Sequence, residues 1–198
     1  MAKVKLTKNE LKRQKDALKR FTRYLPTLQL KKQQLQMVIR RVETELAEKN
    51  KEYEAAFNTL QNWIEVFGED AGLEELIEIE SLVTDIGNIA GVDIPVFKHL
   101  VFKDIKYDLF DKPLWTDKGV EKIKKLAALE KEIAIFKEQI WLLSEELRIT
   151  TQRVNLFEKI KIPETKENIR KINIYLGDQQ TAAVVRGKIA KKNLVKVS

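Results

Sequence analysis

LKRQKDALKRFTRYLPTLQLKKQQLQMVIRRVETELAEKNKEYEAAFNTLQNWIEVF, residues 11–67, is the stretch that decides the fold. A single seven-residue register runs through it without a phase shift. Its a positions are Leu11, Leu18, Leu25, Lys32, Ile39, Leu46, Tyr53, Leu60 and Phe67. Its d positions are Gln14, Phe21, Leu28, Leu35, Val42, Lys49, Ala56 and Trp63, and fourteen of the seventeen sites are apolar. Apolar residues at alternating spacings of three and four put one narrow stripe on a helix, and a stripe that narrow is buried only against a partner helix. No glycine precedes Gly68. The start is spelled out as well, because Thr7 and Glu10 have capping-box spacing and Leu6 and Leu11 can close a hydrophobic staple around it. About 60 residues at 1.5 Å each would span roughly 90 Å. The polar seam residues Gln14, Lys32 and Lys49 are expected to lie along the seam with their polar ends in water.

The partner helix is found in the same chain. After Pro113, Thr116 or Asp117 can cap a second helix, whose seam reads Leu126, Leu129, Ile133, Phe136, Ile140, Leu143, Leu147, Thr150, Val154 and Phe157. Pro163 interrupts it, and Ile162, Ile169, Ile172, Leu176 and Ala183 resume one residue out of phase, a slip that a proline inside a helix can produce. Beyond Leu176 the pattern thins and the lysine-rich tail is expected to fray. An antiparallel pairing that starts from Phe67 beside Lys118 makes facing residue numbers sum to about 185, on equal rise in both arms. Pro26 and Pro163 then fall at nearly one height, where two bends would offset the free end.

Between the arms the helical period is lost. Val92, Ile94 and Val96 alternate with Asp93 and Pro95, and Leu100, Phe102, Ile105, Tyr107 and Leu109 follow. This predicts a β-hairpin turning within residues 91–99, preceded by a short helix over 73–79, with Pro95 at an edge. A lone hairpin is marginal in water and should pack on the arms or on another subunit. The predicted fold is therefore mainly α, a long antiparallel two-helix coiled-coil hairpin with a small β-hairpin head. Residues 1–67 form the N-terminal arm, 68–117 the acidic head, and 118–198 the C-terminal arm with its basic tail.

Charge follows the same division. The net charge of +7 resolves into +11 over residues 1–41, −12 over 42–117, +3 over 118–185 and +5 over 186–198. Folded back, the two basic ends meet at one pole and the acidic middle forms the other. The hydrated cations Lys12, Arg13, Lys15, Lys19, Arg20, Lys188, Lys191 and Lys192 at the basic pole are suited to long-range, non-directional contacts.

Catalytic signatures are missing. There is no G-x-x-x-x-G-K-[ST] and no G-x-G-x-x-G. No cofactor is implied. The single histidine, His99, has no ligand cluster around it, and the absence of cysteine excludes thiolate metal sites and disulfides. The N-terminal MAKVKLTKNELKRQ has no apolar h-region, and no apolar run is long enough for a bilayer, so a cytoplasmic protein without membrane insertion is expected.

Several strings go beyond what a coiled coil needs. LTKNELKRQKDALKRF (residues 6–21), LPTLQLKKQQLQ (25–36) and above all RVNLFEKIKIPETKENIRKI (153–172) resemble the D subunit of the V-type and A-type rotary ATPases, in its bacterial branch. NIAGVDIPVF (88–97) and YDLFDKPLW (107–115) extend the likeness through the middle. At LPTLQLKK the chain departs from the commoner pattern, which has a glycine-containing stretch there and no proline. The resemblance implies a non-catalytic central-stalk rotor that carries torque between a membrane rotor ring and a catalytic hexamer during ion-coupled ATP synthesis or hydrolysis. It implies partners: the catalytic A and B subunits, the F subunit of the stalk, and a subunit linking to the ring. Location would be cytoplasmic, peripheral to the membrane as part of that complex. The hexamer-facing candidates are then the eight cations named above. Pro26, Lys31, Lys32, Arg153, Asn155, Glu158 and Pro163 become candidates for a kink held in the hexamer's collar. Two rivals share the helical pattern: a prefoldin-like chaperone, against which the lysine-rich tips argue, and a nucleic-acid binder, which the acidic middle opposes.

Overall fold

The computed structural model describes residues 4–61, 72, 76–105 and 112–197. Helix α1 spans Lys8–Gln61, strands β1 and β2 span Ile79–Ile89 and Val92–Phe102, and helix α2 spans Thr116–Asn155. A π-helical segment, Leu156–Lys161, joins α2 to helix α3, Ile162–Val197. The chain forms two compact units, one of Met1–Lys32 with Ile149–Ser198 and the other of Gln33–Arg148.

The register of α1 holds along its length. All fifteen a and d side chains from Leu11 to Leu60 are buried or half-buried. The g positions Glu10, Ala17, Lys31, Val38 and Glu45 are half-buried as well, so the covered stripe leans to one flank. The helix start is built as its sequence spells it: the Glu10 N–H donates to Thr7 Oγ1 at 3.3 Å and the Leu11 N–H to the Thr7 carbonyl at 3.0 Å. The Glu10 carboxylate does not return the bond. It accepts from Gln14 Nε2 at 2.8 Å, which satisfies the first polar seam residue. Trp63 and Phe67 lie outside the described residues.

In the unit of Gln33–Arg148, α1 and α2 run antiparallel around a core of Leu35, Ile39, Val42, Leu143 and Ile94, with Phe136, Ile140 and Leu147 packed against it. Ile94 belongs to β2, so the hairpin lies on the helix pair and closes the flank of Val38 and Ile135. Lys49 departs from expectation. Its side chain, still partly exposed, crosses the seam to Glu132 at 3.1 Å and also holds Glu52 at 3.3 Å. The Glu132 hydrogen bond is the main cause that raises the Lys49 pKa above its ordinary 10.5. At the start of α2 the Trp115 carbonyl accepts the first helical bond, from Gly119 N–H at 2.9 Å. The Thr116 hydroxyl is buried and does not cap.

The hairpin differs from the one expected. β1 pairs with β2 from Ile89↔Val92 outward to Ile79↔Phe102, so the turn is Ala90–Gly91 and residues 92–99 lie within a strand. Both turn residues have positive φ, 53° and 78°, which a two-residue hairpin turn of matching twist requires. Asn88 braces it, accepting from the Gly91 N–H at 3.2 Å and donating to Asp93 at 2.6 Å. Pro95 falls within the expected turn, yet it sits inside β2 opposite Ile86. Its missing N–H faces the outer edge, where its carbonyl accepts from Gln139 on α2. The short helix expected over 73–79 falls mostly outside the described residues, and Ile79 itself begins β1.

In the unit of Met1–Lys32 with Ile149–Ser198, Phe21 meets Phe157 with ring centroids 5.1 Å apart. Gln14, Ala17 and Phe21 share a groove with Lys161, Glu164, Thr165 and Asn168. Facing numbers thus sum to 178 at the phenylalanine pair rather than 185. Pro26 lies five residues to one side of that pair and Pro163 six residues to the other, which separates them by about 16 Å along the axis. The two prolines are not level. The expectation failed because it hung the register on Phe67 beside Lys118, whereas the seam contacts themselves set it.

The phase slip near Pro163 is real, and the π segment is its cause. The Ile162 N–H donates to the Phe157 carbonyl five residues back, which inserts one residue into the helical turn. Thr165 Oγ1 donates to the Lys161 carbonyl at 2.6 Å. The seam then resumes with Thr165 and Ile172 buried and Ile162, Ile169 and Leu176 half-buried. Ala183, expected on this seam, is exposed, and Ala182 is half-buried in its place. The tail does not unwind: α3 continues to Val197, with every side chain from Gly177 to Asn193 except Ala182 exposed.

Candidate interaction surfaces

The unit holding both termini contains 22 Lys/Arg against 6 Asp/Glu, a net of +16. Its heptad register explains how these cations are displayed. Lys12 and Lys19 are b positions, Arg13 and Arg20 c positions, and Asn9, Asp16 and Arg23 f positions, all on the face of α1 turned from the seam. These seven residues line one open groove of about 560 Å³. Five cations and one carboxylate along it make a strongly positive stripe. Lys15, an e position, is exposed but outside that groove. Lys188, Lys191 and Lys192 are exposed on α3.

Of the kink candidates, Pro26 lies within α1 and is exposed, Lys31 and Lys32 are half-buried, and Arg153, Asn155, Glu158 and Pro163 are exposed. The π segment carries two exposed aliphatic side chains, Leu156 and Ile160, beside Glu158 and Lys159.

The unit of Gln33–Arg148 has 15 Lys/Arg against 24 Asp/Glu, a net of −9. Between its hairpin and its helices runs a groove of about 450 Å³ lined by Val38, Val42, Ile94 and Phe136 together with Arg41, Glu45, Glu132 and the buried Gln139. Ion pairs ride on the hairpin: Lys98 with Asp85 at 2.9 Å and Lys103 with Glu78 at 2.8 Å. The Lys98 hydrogen bond, then the Ile86 N–H, hold the Asp85 carboxyl below its ordinary range. His99, paired with Val83, is exposed. Among the described residues no group of three or more His, Asp or Glu could hold a metal ion, and no helix is long and apolar enough to cross a membrane.

These surfaces belong to two paired-helix units of opposite charge, one of them dressed by a hairpin. Relatives match the chain along nearly its whole length. The chain is 55% identical over 196 residues to the V-type ATP synthase D subunit of Borreliella burgdorferi, covering 99% of this chain and 97% of that one. It is 37% identical over 195 residues to the V-type ATP synthase D subunit of Chlamydia pneumoniae, covering 96% and 93%, and 36% identical over 195 residues to that of Chlamydia muridarum, covering 96% of each. The family model of the ATP synthase D subunit matches residues 10–192. With the match spanning both helical arms and the hairpin between them, the chain belongs to the ATP synthase D-subunit family.

Proposed function

We propose that this chain is the central-stalk rotor subunit of a V-type ATP synthase or ATPase, carrying torque between a membrane rotor ring and a catalytic hexamer without performing chemistry itself. The observation that carries the reading is the family match over residues 10–192, with 55% identity to a V-type ATP synthase D subunit along nearly the full length. The same full-length identity favours it over a prefoldin-like chaperone or a nucleic-acid binder.

The physics of the chain suits that task. A rotor must transmit twist, and continuous seam packing along α1 with one inserted residue near Phe157 keeps paired helices locked in rotation. It must also turn within its collar. Hydrated cations on long side chains attract an acidic collar without the directional, close-packed contacts that would hold it still. Lys12, Arg13, Lys15, Lys19, Arg20, Lys188, Lys191 and Lys192 serve this purpose, with residues 1–67 and 118–198 as the arms and 68–117 as the head. Pro26, Lys31, Lys32, Arg153, Asn155, Glu158 and Pro163 lie where the collar grips. The partners are the catalytic A and B subunits, the F subunit of the stalk, and the subunit that joins the ring. The chain works in the cytoplasm, peripheral to the membrane.

The test is mechanical. The chain has no cysteine, so Ser81→Cys on the exposed hairpin gives one attachment point for a bead. The chain should co-purify with the A, B and F subunits, and the bead should rotate when ATP is added. A complex that assembles and couples hydrolysis to ion transport normally without this chain would end the proposal.

A further inference from the structure

β1 and β2 make a two-stranded sheet, so each strand has one edge with no strand beside it. The two edges are unlike. On β2 the outward carbonyl of Pro95 accepts from Gln139, the Pro95 nitrogen has no hydrogen to offer, and Lys98 sits at a register shift in the ladder. Proline, lysine and a bulge are the devices that close an edge to further pairing. β1, IESLVTDIGNI, contains no Pro, Lys or Arg, and its own register shift lies at its start, at Glu80, so that residues 81–89 run without an extra residue on this strand.

Ile86 faces Pro95. The two form a wide pair without mutual backbone bonds, because Pro95 cannot donate and its carbonyl is taken by Gln139. The Ile86 N–H therefore points outward, where the Asp85 carboxylate accepts it at 2.9 Å. A side-chain oxygen stands where the carbonyl of an added strand would stand. Beside it, on the face turned from the helices, Ile86 is 79% and Leu82 42% exposed.

The geometry points to strand addition on β1: an extended segment of another protein pairs along its outer edge. That segment alternates aliphatic side chains, set against Leu82 and Ile86, with Lys or Arg set against Glu80, since Lys103 and Lys98 of the same hairpin already hold Glu78 and Asp85. Backbone hydrogen bonds supply the docking and the alternating side chains supply the choice. A second copy of this chain is a poor occupant, because residues 42–117 carry a net −12 and its β1 would bring the same acids. The occupant is another member of the complex, so the inference rests on the rotor reading.

The full chain is added back to the ATPase complex purified without it, and hydrogen exchange of β1 is followed before and after. Assembly should slow the outward β1 amides by roughly tenfold or more, as expected for a gained hydrogen bond, and leave the outer edge of β2 unchanged. Ile86→Pro removes one outward N–H without touching the ladder, as Pro95 already does on β2. It should weaken assembly about tenfold, whereas Ile86→Thr, which keeps the N–H, should not. Should Ile86→Pro disturb the hairpin, the exchange measurement on the native chain still decides. Unchanged β1 exchange in an assembled complex overturns strand addition and leaves the rotor reading standing. A chain that does not assemble at all removes both. Concentration-dependent slowing in the isolated chain, abolished by Ile86→Pro, would assign the edge to a second copy and overturn the choice of a basic partner.

Discussion

Deleting Lys159 removes one exposed residue from the π segment and, if that segment is what absorbs the register slip, should leave the helix pairing intact. Thr150, Val154 and Phe157 set a phase that an uninterrupted α-helix would continue through Lys161, Glu164, Asn168, Lys171 and Tyr175, a polar stripe. The inserted residue places Ile162, Thr165, Ile169, Ile172 and Leu176 there instead. With Lys159 gone, a plain α-helix delivers the same five residues to the same seam. The expected cost comes from Pro163, which in a regular helix loses a hydrogen bond and clashes with a carbonyl, about 3 kcal/mol or more. Pro163→Ala in the deletion background should recover that cost and bring stability to within about 1 kcal/mol of the parent. The control is deletion of Lys171, also exposed. It rotates Ile172, now 0% exposed, out of the seam along with Leu176. Exposing a buried isoleucine costs about 2–3 kcal/mol before any loss from Leu176, and Pro163→Ala should not rescue it. Urea unfolding followed by far-ultraviolet circular dichroism measures all four. The role given to the π segment is refuted if the Lys159 deletion with Pro163→Ala unfolds as easily as the Lys171 deletion.

Other consequences are more local. Leu143→Asp places a charge at a fully buried seam site and should cost more than about 4 kcal/mol in urea unfolding, while Lys15→Ala should stay within about 0.5 kcal/mol; equal losses would discredit the register. Lys49→Met removes the cation that crosses to Glu132. Because the folded Lys49 pKa is raised above 10.5, its contribution is fully present below that value and disappears as pH rises through the folded pKa. The stability difference between parent and Lys49→Met should therefore be flat from neutrality to about pH 10.5 and shrink above it; a difference that grows with pH contradicts the ion pair. Gly91→Ala meets no atom within 4 Å but keeps a φ of 78°, so thermal unfolding should show a loss of about 1–2 kcal/mol from backbone strain alone.

The helical part was legible because burial along a seam has a period, and every seam residue from Leu11 to Leu60 obeyed it. Even the π insertion had left its mark as a one-residue slip before Ile162, although the sequence pointed at the proline rather than at the extra residue. The hairpin was harder for a physical reason. β1 buries almost nothing, and Leu82 and Ile86 face outward, so the alternation between a wet and a dry face that marks a half-buried strand is lost. β2 was displaced because the turn was placed over 91–99, although Pro95 does sit at an edge as read, where Gln139 donates to its carbonyl. The relative height of Pro26 and Pro163 could not be read either, since it depends on where two helices meet and not on either helix alone. The rotor reading loses one device thereby, because prolines about 16 Å apart along the axis do not bend the pair at one level. It keeps another, because an inserted residue that displays Leu156, Glu158, Lys159 and Ile160 on one arm, with no counterpart on the opposing stretch of α1, makes the surface asymmetric. A rotor that must present three catalytic sites with different faces needs that inequality, and a local π turn provides it while leaving the buried seam continuous on both sides.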